Sequence, residues 1–200
     1  MPTSKIKRSF RKTRYILYKE TLIDYKEQFW SFLGSFIGIG VIAFFQSRQF
    51  SHQDFVYLIG SFGASSVLVY GIIESPFSQP RNLIGGHLIS AFIGVSINYL
   101  LPHTMYIAAP LAVSLSIVFM QITKTLHPPG GATALIAIIG TPRIKDLGYW
   151  YVLSPVLTGV LILFFTALIF NNMTSSRKYP AHSTYSKHYH KIIKRFKRNN

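Results

Sequence analysis

Residues 104–122 read TMYIAAPLAVSLSIVFMQI, nineteen positions without one charged side chain. As a helix this stretch rises about 28 Å, close to the ~30 Å hydrocarbon thickness of a bilayer. Three more stretches share its length and character: 28–46, 83–101 and 149–170. Aromatic residues collect near their ends, at Phe29, Trp30, Tyr99, Tyr149, Trp150 and Tyr151, as anchors at a membrane–water boundary do. The total apolar content of 49% is ordinary for a globular protein and decides nothing. The distribution of charge does decide. Residues 28–170 carry only eight charged side chains: Arg48, Asp54, Glu74, Arg81, Lys124, Arg143, Lys145 and Asp146. A soluble fold of that size carries roughly four times as many, so a soluble enzyme is excluded as the leading reading.

Working outward from residue 122, the chain meets Lys124 and then His127-Pro128-Pro129-Gly130-Gly131-Ala132-Thr133-Ala134-Leu135. The two prolines stop an arriving helix, because each lacks an N–H and fixes φ. The two glycines then permit a turn that side chains would block. A new helix is expected to start near Gly131 and run to Gly140, before Thr141-Pro142. Ten residues reach about 15 Å, half a bilayer, so 127–142 is not expected to cross unaided. A second broken element, 55–73, contains Gly60, Gly63 and Gly71 and leads into Ser75-Pro76 and Gln79-Pro80.

The order of span, broken element and span begins near 28, 55 and 83 and recurs near 104, 127 and 149. Gly63-Ala64-Ser65 aligns with Gly131-Ala132-Thr133, either as an internal repeat or as chance similarity between glycine-rich helices. The expected fold is an all-α polytopic membrane protein. It has four full transmembrane helices and two broken or short helical elements, in an order that suggests a two-fold repeat. Broken helices in such an order are the pattern of transporters whose sites lie near the midplane.

The net charge of +15 concentrates at the ends. Residues 1–27 and 171–200 read as basic cytoplasmic tails flanking a transmembrane domain over 28–170. Basic residues beside a span mark the cytoplasmic side and attract anionic lipid headgroups, which explains the charge without nucleic acid. Both termini are therefore expected in the cytoplasm, and the number of crossings is even; parity does not separate four from six. The membrane is expected to be a bacterial-type inner membrane or an organellar one of that ancestry. There is no cysteine, hence no disulfide or thiol chemistry.

Candidate site residues fall in three groups. The first is His127, Gly130, Gly131 and Thr133, where a helix N-terminus offers unpaired N–H groups and the positive end of its dipole to an anion. The alternative there is a cap that merely reverses the chain. The second is Arg81, Asn82 and His87. An ionisable residue inside a span is a functional candidate by default. Against it stand a histidine satisfied by a neighbouring helix and an arginine that reaches headgroups. The third is Gly63, Ser65 and Ser66, which either meet a permeant ion or serve helix packing. His127 and His87 titrate near neutrality in their ordinary state, so either could carry a proton with the anion. No metal site is expected, since His182, His188 and His190 lack completing Cys or carboxylate ligands. No cofactor is expected either. Nor is an enzyme: the spans hold no Asp or Glu, and nothing in the sequence places Ser65 or Ser66 beside a histidine.

The run His127–Leu135 resembles the signature of the HPP family of integral membrane proteins, named for its His-Pro-Pro. The resemblance continues at Gly60-Ser61-Phe62-Gly63-Ala64-Ser65-Ser66 and through Ser75-Pro76 to Gln79-Pro80-Arg81-Asn82. It extends further through Ile84-Gly85-Gly86-His87, Pro155-Val156-Leu157 and Arg177-Lys178-Tyr179-Pro180, covering roughly residues 30–182. It implies four membrane spans, and plant and cyanobacterial members are associated with nitrite transport. The expected function is therefore a membrane transporter or channel for a small anion, nitrite being the best single guess. A cation path would show carboxylates or rings of carbonyls instead. The alternative is a non-transporting scaffold or lipid-binding subunit. The core is small for a transporter, so a homo-oligomer is expected.

Overall fold

A computed structural model describes residues 25–49, 56–174 and 177–181; the basic stretches 1–24 and 182–200 lie outside them. The described residues are helical, in the order α1 Tyr25–Gln49, α2 Gly60–Ser66, α3 Pro80–Leu100, α4 Met105–Ile122, α5 Pro128–Ile139, α6 Pro142–Asp146 and α7 Thr158–Phe170. A π turn, Val67–Gly71, continues α2, and an irregular π segment, Val152–Leu157, leads into α7. Four helices are long and apolar enough to cross a membrane: Tyr25–Arg48, Pro80–Leu100, Met105–Ile122 and Val152–Phe170. They match the four spans expected from the sequence, and 60–71 and 128–139 match the two short elements. The fold is all-α and polytopic.

Local chemistry explains the boundaries. α3 and α5 both open on proline, whose fixed φ suits a first helical position where no N–H partner is needed. His127, preceding Pro128, is extended (φ −136°, ψ 105°), as residues before proline usually are. α5 thus begins three residues earlier than the expected start near Gly131. The expected uninterrupted span 149–170 is also corrected. Ser154 is extended (φ −140°, ψ 117°), because Pro155 excludes it from helical geometry and withholds an N–H.

Side-chain contacts fix the direction of each element. At one end of α1, Gln46 Oε1 accepts the Tyr57 N–H at 2.7 Å; near the other, Ser31 Oγ donates to Tyr70 O at 2.7 Å. Residues 57–70 therefore run the depth of α1 in reverse. Likewise Asn82 at the start of α3 reaches Leu126 O at 2.7 Å, and Ser96 near its end meets Tyr149 OH at 3.1 Å. Residues 126–149 therefore run alongside α3. Each short helix thus runs antiparallel to the span that precedes it. Glu27 and Arg177 pair at 3.1 Å, which places both ends of the bundle on one face.

Two packing modes hold this bundle. Phe62, Val69, Tyr70, Leu83, Tyr151, Val160 and Leu163 fill the core between α1, α2, α3 and α7. Between α3 and α5 the contact is backbone-close: a Cβ at Gly94 would stand 2.6 Å from Ala134 O, and one at Gly130 2.7 Å from Ser90 Oγ. Small residues permit this approach, and helices in lipid gain stability from it through dispersion. Phe32, Phe36, Phe92, Val118, Phe165 and Ile169 are exposed, the lipid-facing pattern of a membrane bundle.

Candidate functional site

The site forms where both short helices meet α3. Ser65 comes from α2, His87 from α3, His127 from the residue capping α5, and Thr133 from the second turn of α5. All four are fully buried. Ser65 Oγ lies 2.7 Å from His87 Nε2 and 2.9 Å from His127 Nε2. The other nitrogen of His87, Nδ1, lies 2.7 Å from Thr133 Oγ1. His127 Nδ1 meets the Phe77 carbonyl oxygen at 2.8 Å. The two imidazole centroids stand 4.9 Å apart, and Phe62 meets His87 edge-on at 5.7 Å.

The aligned tripeptides acquire a physical meaning here. Ser65 and Thr133 end Gly63-Ala64-Ser65 and Gly131-Ala132-Thr133, and each hydroxyl engages one nitrogen of the same ring, His87. Each also lies near the carbonyl four residues back: Ser65 with Ser61 O at 3.0 Å, Thr133 with Pro129 O at 3.4 Å. The two short helices present matching hydroxyls to His87 from opposite sides.

The remaining candidates sit around this core rather than in it. Ser66 Oγ donates back to Phe62 O at 2.9 Å. Gly130 lies in the close seam between α3 and α5. Gly86 lies there too: its missing Cβ would stand 2.5 Å from His127 Cβ. Gly131 is inside α5, with Val113 Cγ1 nearest at 3.7 Å from a built Cβ, so the dipole argument attaches to Pro128 and not to Gly131. Neither Pro128 nor Pro129 has an N–H, and the Gly130 N–H already donates to His127 O at 2.8 Å. That terminus therefore offers an anion less than the sequence implied. Gly63 is exposed in the middle of α2, on the face away from Ser65, with no atom within 4 Å of a built Cβ. Arg81 is exposed and donates to Thr123 O at 2.7 Å; with Asn82 it fastens the loop that delivers His127.

Two roles, those of Tyr151 and Arg177, escaped sequence reading, and Ser61, read with Ser65 and Ser66 as meeting an ion or back-bonding to its helix, does not back-bond. Tyr151 is no boundary anchor: it is fully buried, and its hydroxyl donates to Thr133 O at 3.1 Å. Ser61 Oγ, one turn before Ser65, is buried with no hydrogen-bond partner among the described residues. Arg177, read as part of a solvated basic tail, is 2% exposed. It donates to Tyr70 O at 2.7 Å, Asn171 Oδ1 at 2.9 Å and Glu27 O at 2.9 Å, besides pairing with the Glu27 carboxylate. Burial pulls its guanidinium below the ordinary arginine range, and Glu27 opposes that shift. The only signal of this role in the sequence was its place in Arg177-Lys178-Tyr179-Pro180.

Chemically, the cluster can offer hydroxyl and imidazole donors to an anion and can hold a proton. None of the hydrogen-bond partners of these side chains is a carboxylate. Among the described residues no group of three metal-ligating side chains occurs.

Comparison with known proteins agrees with the fold. The family described as HPP, transmembrane region, matches residues 20–180. Two proteins of Dictyostelium discoideum, each named as a transmembrane protein, are 46% identical over 160 residues, 78% of this chain. The match covers 56% of one and 51% of the other, so the chain spans about half the length of these relatives. No solved structure matches it. A bundle with four span-length apolar helices, two short helices meeting at a His-Pro-Pro turn, and a family match over most of the chain lead to one assignment: this chain belongs to the HPP family of integral membrane proteins.

Proposed function

We propose that the chain forms a membrane transporter or channel for a small anion, with nitrite the best single candidate. One observation carries this reading. The fully buried Ser65 hydroxyl is shared by two buried imidazoles at the junction of the two short helices, and none of the hydrogen-bond partners there is a carboxylate. Polar groups at such depth are costly, and proteins retain them chiefly along substrate and ion paths. Hydroxyl and imidazole donors suit an anion, and Ser61 Oγ adds a buried donor one turn away. Nitrite follows from the association of plant and cyanobacterial relatives with that ion. Both bundle ends share one face beside the basic stretches, which supports termini in the cytoplasm and an inner or organellar membrane. Anionic lipid at those stretches, and assembly as a homo-oligomer, belong to the same proposal.

The experiment is flux of nitrite, nitrate, formate and chloride into proteoliposomes, comparing wild type with His127→Ala and His87→Ala at equal folded protein. Wild type should pass at least one of these anions, and each substitution should lower the rate tenfold or more. Indifference to both substitutions removes the site, and flux of cations alone removes the anion assignment. Absence of all flux returns the protein to the scaffold or lipid-binding reading. The Ser65–His127 contact is also the geometry of an activated nucleophile. Covalent labelling of Ser65 by a fluorophosphonate would move the assignment to a hydrolase.

A further inference from the structure

The hydrogen-bond partners of the cluster constrain where its protons sit. Phe77 O is only an acceptor, so His127 Nδ1 carries a hydrogen. In neutral His127, Nε2 is then an acceptor facing Ser65. Ser65 has one hydroxyl hydrogen and two acceptors within reach, His127 Nε2 at 2.9 Å and Ser61 O at 3.0 Å. When that hydrogen points to His127, Ser65 Oγ accepts from His87 Nε2–H, and His87 Nδ1 accepts from the Thr133 hydroxyl. A continuous chain of donors then runs Thr133, His87, Ser65, His127, Phe77 O.

Each of the two hydroxyls also has an alternative acceptor in place. Ser65 can turn to Ser61 O, and Thr133 can turn to Pro129 O at 3.4 Å. Back-bonding of Ser or Thr to the carbonyl four residues earlier is common in membrane helices. Here the same two hydroxyls also flank one imidazole, so neutral His87 has two arrangements: Nε2–H donating to Ser65 with Thr133 donating to Nδ1, or Nδ1–H donating to Thr133 with Ser65 donating to Nε2.

We propose that the Ser65 hydroxyl relays a proton between His127 and His87, so that the site takes up a proton as a second substrate beside the anion; this rests on the transport reading above. The transfer balances. A proton arriving on His127 Nε2 makes that ring an imidazolium whose Nε2–H donates to Ser65 Oγ. The His127 Nε2–H bond then breaks as a new Ser65 Oγ–H bond forms. The proton already on Ser65 passes to His87 Nε2, whose Nδ1–H donates to Thr133 while Thr133 donates to Pro129 O. One proton leaves His127, one appears on His87, and Ser65 ends with one. The groups in contact with the two histidines are Phe62 and Ser65 from α2, the Phe77 carbonyl, Gly86 from α3 and Thr133 from α5. None is a carboxylate or an ammonium, so the proton has no competing ionic partner among them.

The test uses the full chain labelled with ¹⁵N-histidine and reconstituted in bilayers, with His87→Gln and His127→Gln assigning the ring signals. In wild type, His127 should show the Nδ1–H tautomer at high pH. On acidification the two rings should share one proton, their signals shifting together. Ser65→Ala should separate them into two independent titrations, and Thr133→Val should hold His87 in one tautomer. Independent titration in wild type, or joint titration unchanged in Ser65→Ala, overturns the relay. An internal pH dye in vesicles given a nitrite gradient should report one proton per nitrite, after subtraction of the leak in protein-free vesicles. Nitrite flux without proton movement overturns the relay and leaves the transport reading standing. Joint titration with no flux of any anion overturns the transport reading and supports proton exchange between the rings.

Discussion

The two short helices carry similar tripeptides yet are held by different physics. The first, 60–71, is fastened by polar side chains at its C-terminal end. The carbonyls at that end are met by side chains from elsewhere: Leu68 O, which also accepts the Ile72 N–H, by Ser78, Val69 O by Asn171, and Tyr70 O by Ser31 and Arg177, at 2.7–2.8 Å. Its exposed side carries Gly60, Gly63 and Val67, with nothing pressed against either glycine. The second, 128–139, is held along its length, with Gly130 and Ala134 packed onto Gly86, Ser90 and Gly94 of α3. Its N-terminal end needs little fastening, since prolines remove two of the N–H groups a helix would otherwise leave open. One helix is tied at its end and the other is wedged along its side. Both short helices nonetheless present the same thing, a hydroxyl on His87, while each solves its own packing.

Arg177 gives the largest expected effect and the sharpest way to break that comparison. Arg177→Met removes a buried guanidinium and with it the donors now shared by the Glu27 carboxylate and carbonyl, Asn171 Oδ1 and Tyr70 O. Breaking a fully buried pair costs about 3–5 kcal/mol, and with Glu27 partly exposed the loss lies near the lower end of that range. The expected outcome is a large drop in thermal midpoint in detergent or nanodisc, with Arg177→Lys recovering only part. A lysine ammonium is a point charge and cannot reach three separated acceptors as a guanidinium fork does. If Arg177→Met unfolds no earlier than wild type, the first helix is not held by its C-terminal end.

Gly94→Ala tests the other half. Its Cβ would meet Ala134 O at 2.6 Å and Ala134 Cα at 2.9 Å, both backbone atoms that cannot step aside. Overpacking of this kind costs about 1–3 kcal/mol, less than the loss of Arg177. The same thermal measurement should show it, along with slower anion flux, since α5 and α3 must part to admit the extra carbon and carry Thr133 away from His87. A silent Gly94→Ala would mean the seam is looser than its geometry.

These contrasts also mark what the sequence could express. The spans were legible because charge is nearly absent from 28–170, a property every residue there contributes to. The places where the spans break were legible because Pro128, Pro129, Pro76 and Pro80 act locally through their own rings, although α5 starts at Pro128 and not near Gly131. The break at Ser154 was not, since one proline in a long apolar run is commonly tolerated in a membrane helix. Pairing of Ser65 with His87 and His127 depends on three helices separated by up to 62 residues in sequence, which no local pattern encodes. Arg177 was hidden differently. It sits in a basic run, and only the meeting of the two chain ends, where Glu27 waits, distinguishes it from a solvated neighbour such as Lys178.

The smallest expected effect belongs to Gly63, singled out in the sequence beside Ser65 and placed by the fold on the opposite side of the same helix. Two positions at 100° per residue differ by about 200°, so Gly63 and Ser65 cannot both face His87. Gly63→Ala puts its methyl group where no atom lies within 4 Å, on a surface that lipid covers. Alanine also relieves part of the helix penalty of glycine, up to about 1 kcal/mol. Stability should hold or rise slightly, and nitrite flux should match wild type within the error of the assay. Loss of flux in Gly63→Ala with normal stability would place the permeation path on the outer face of the first short helix, away from the histidines. The comparison of the two helices would then have to be rebuilt around that face.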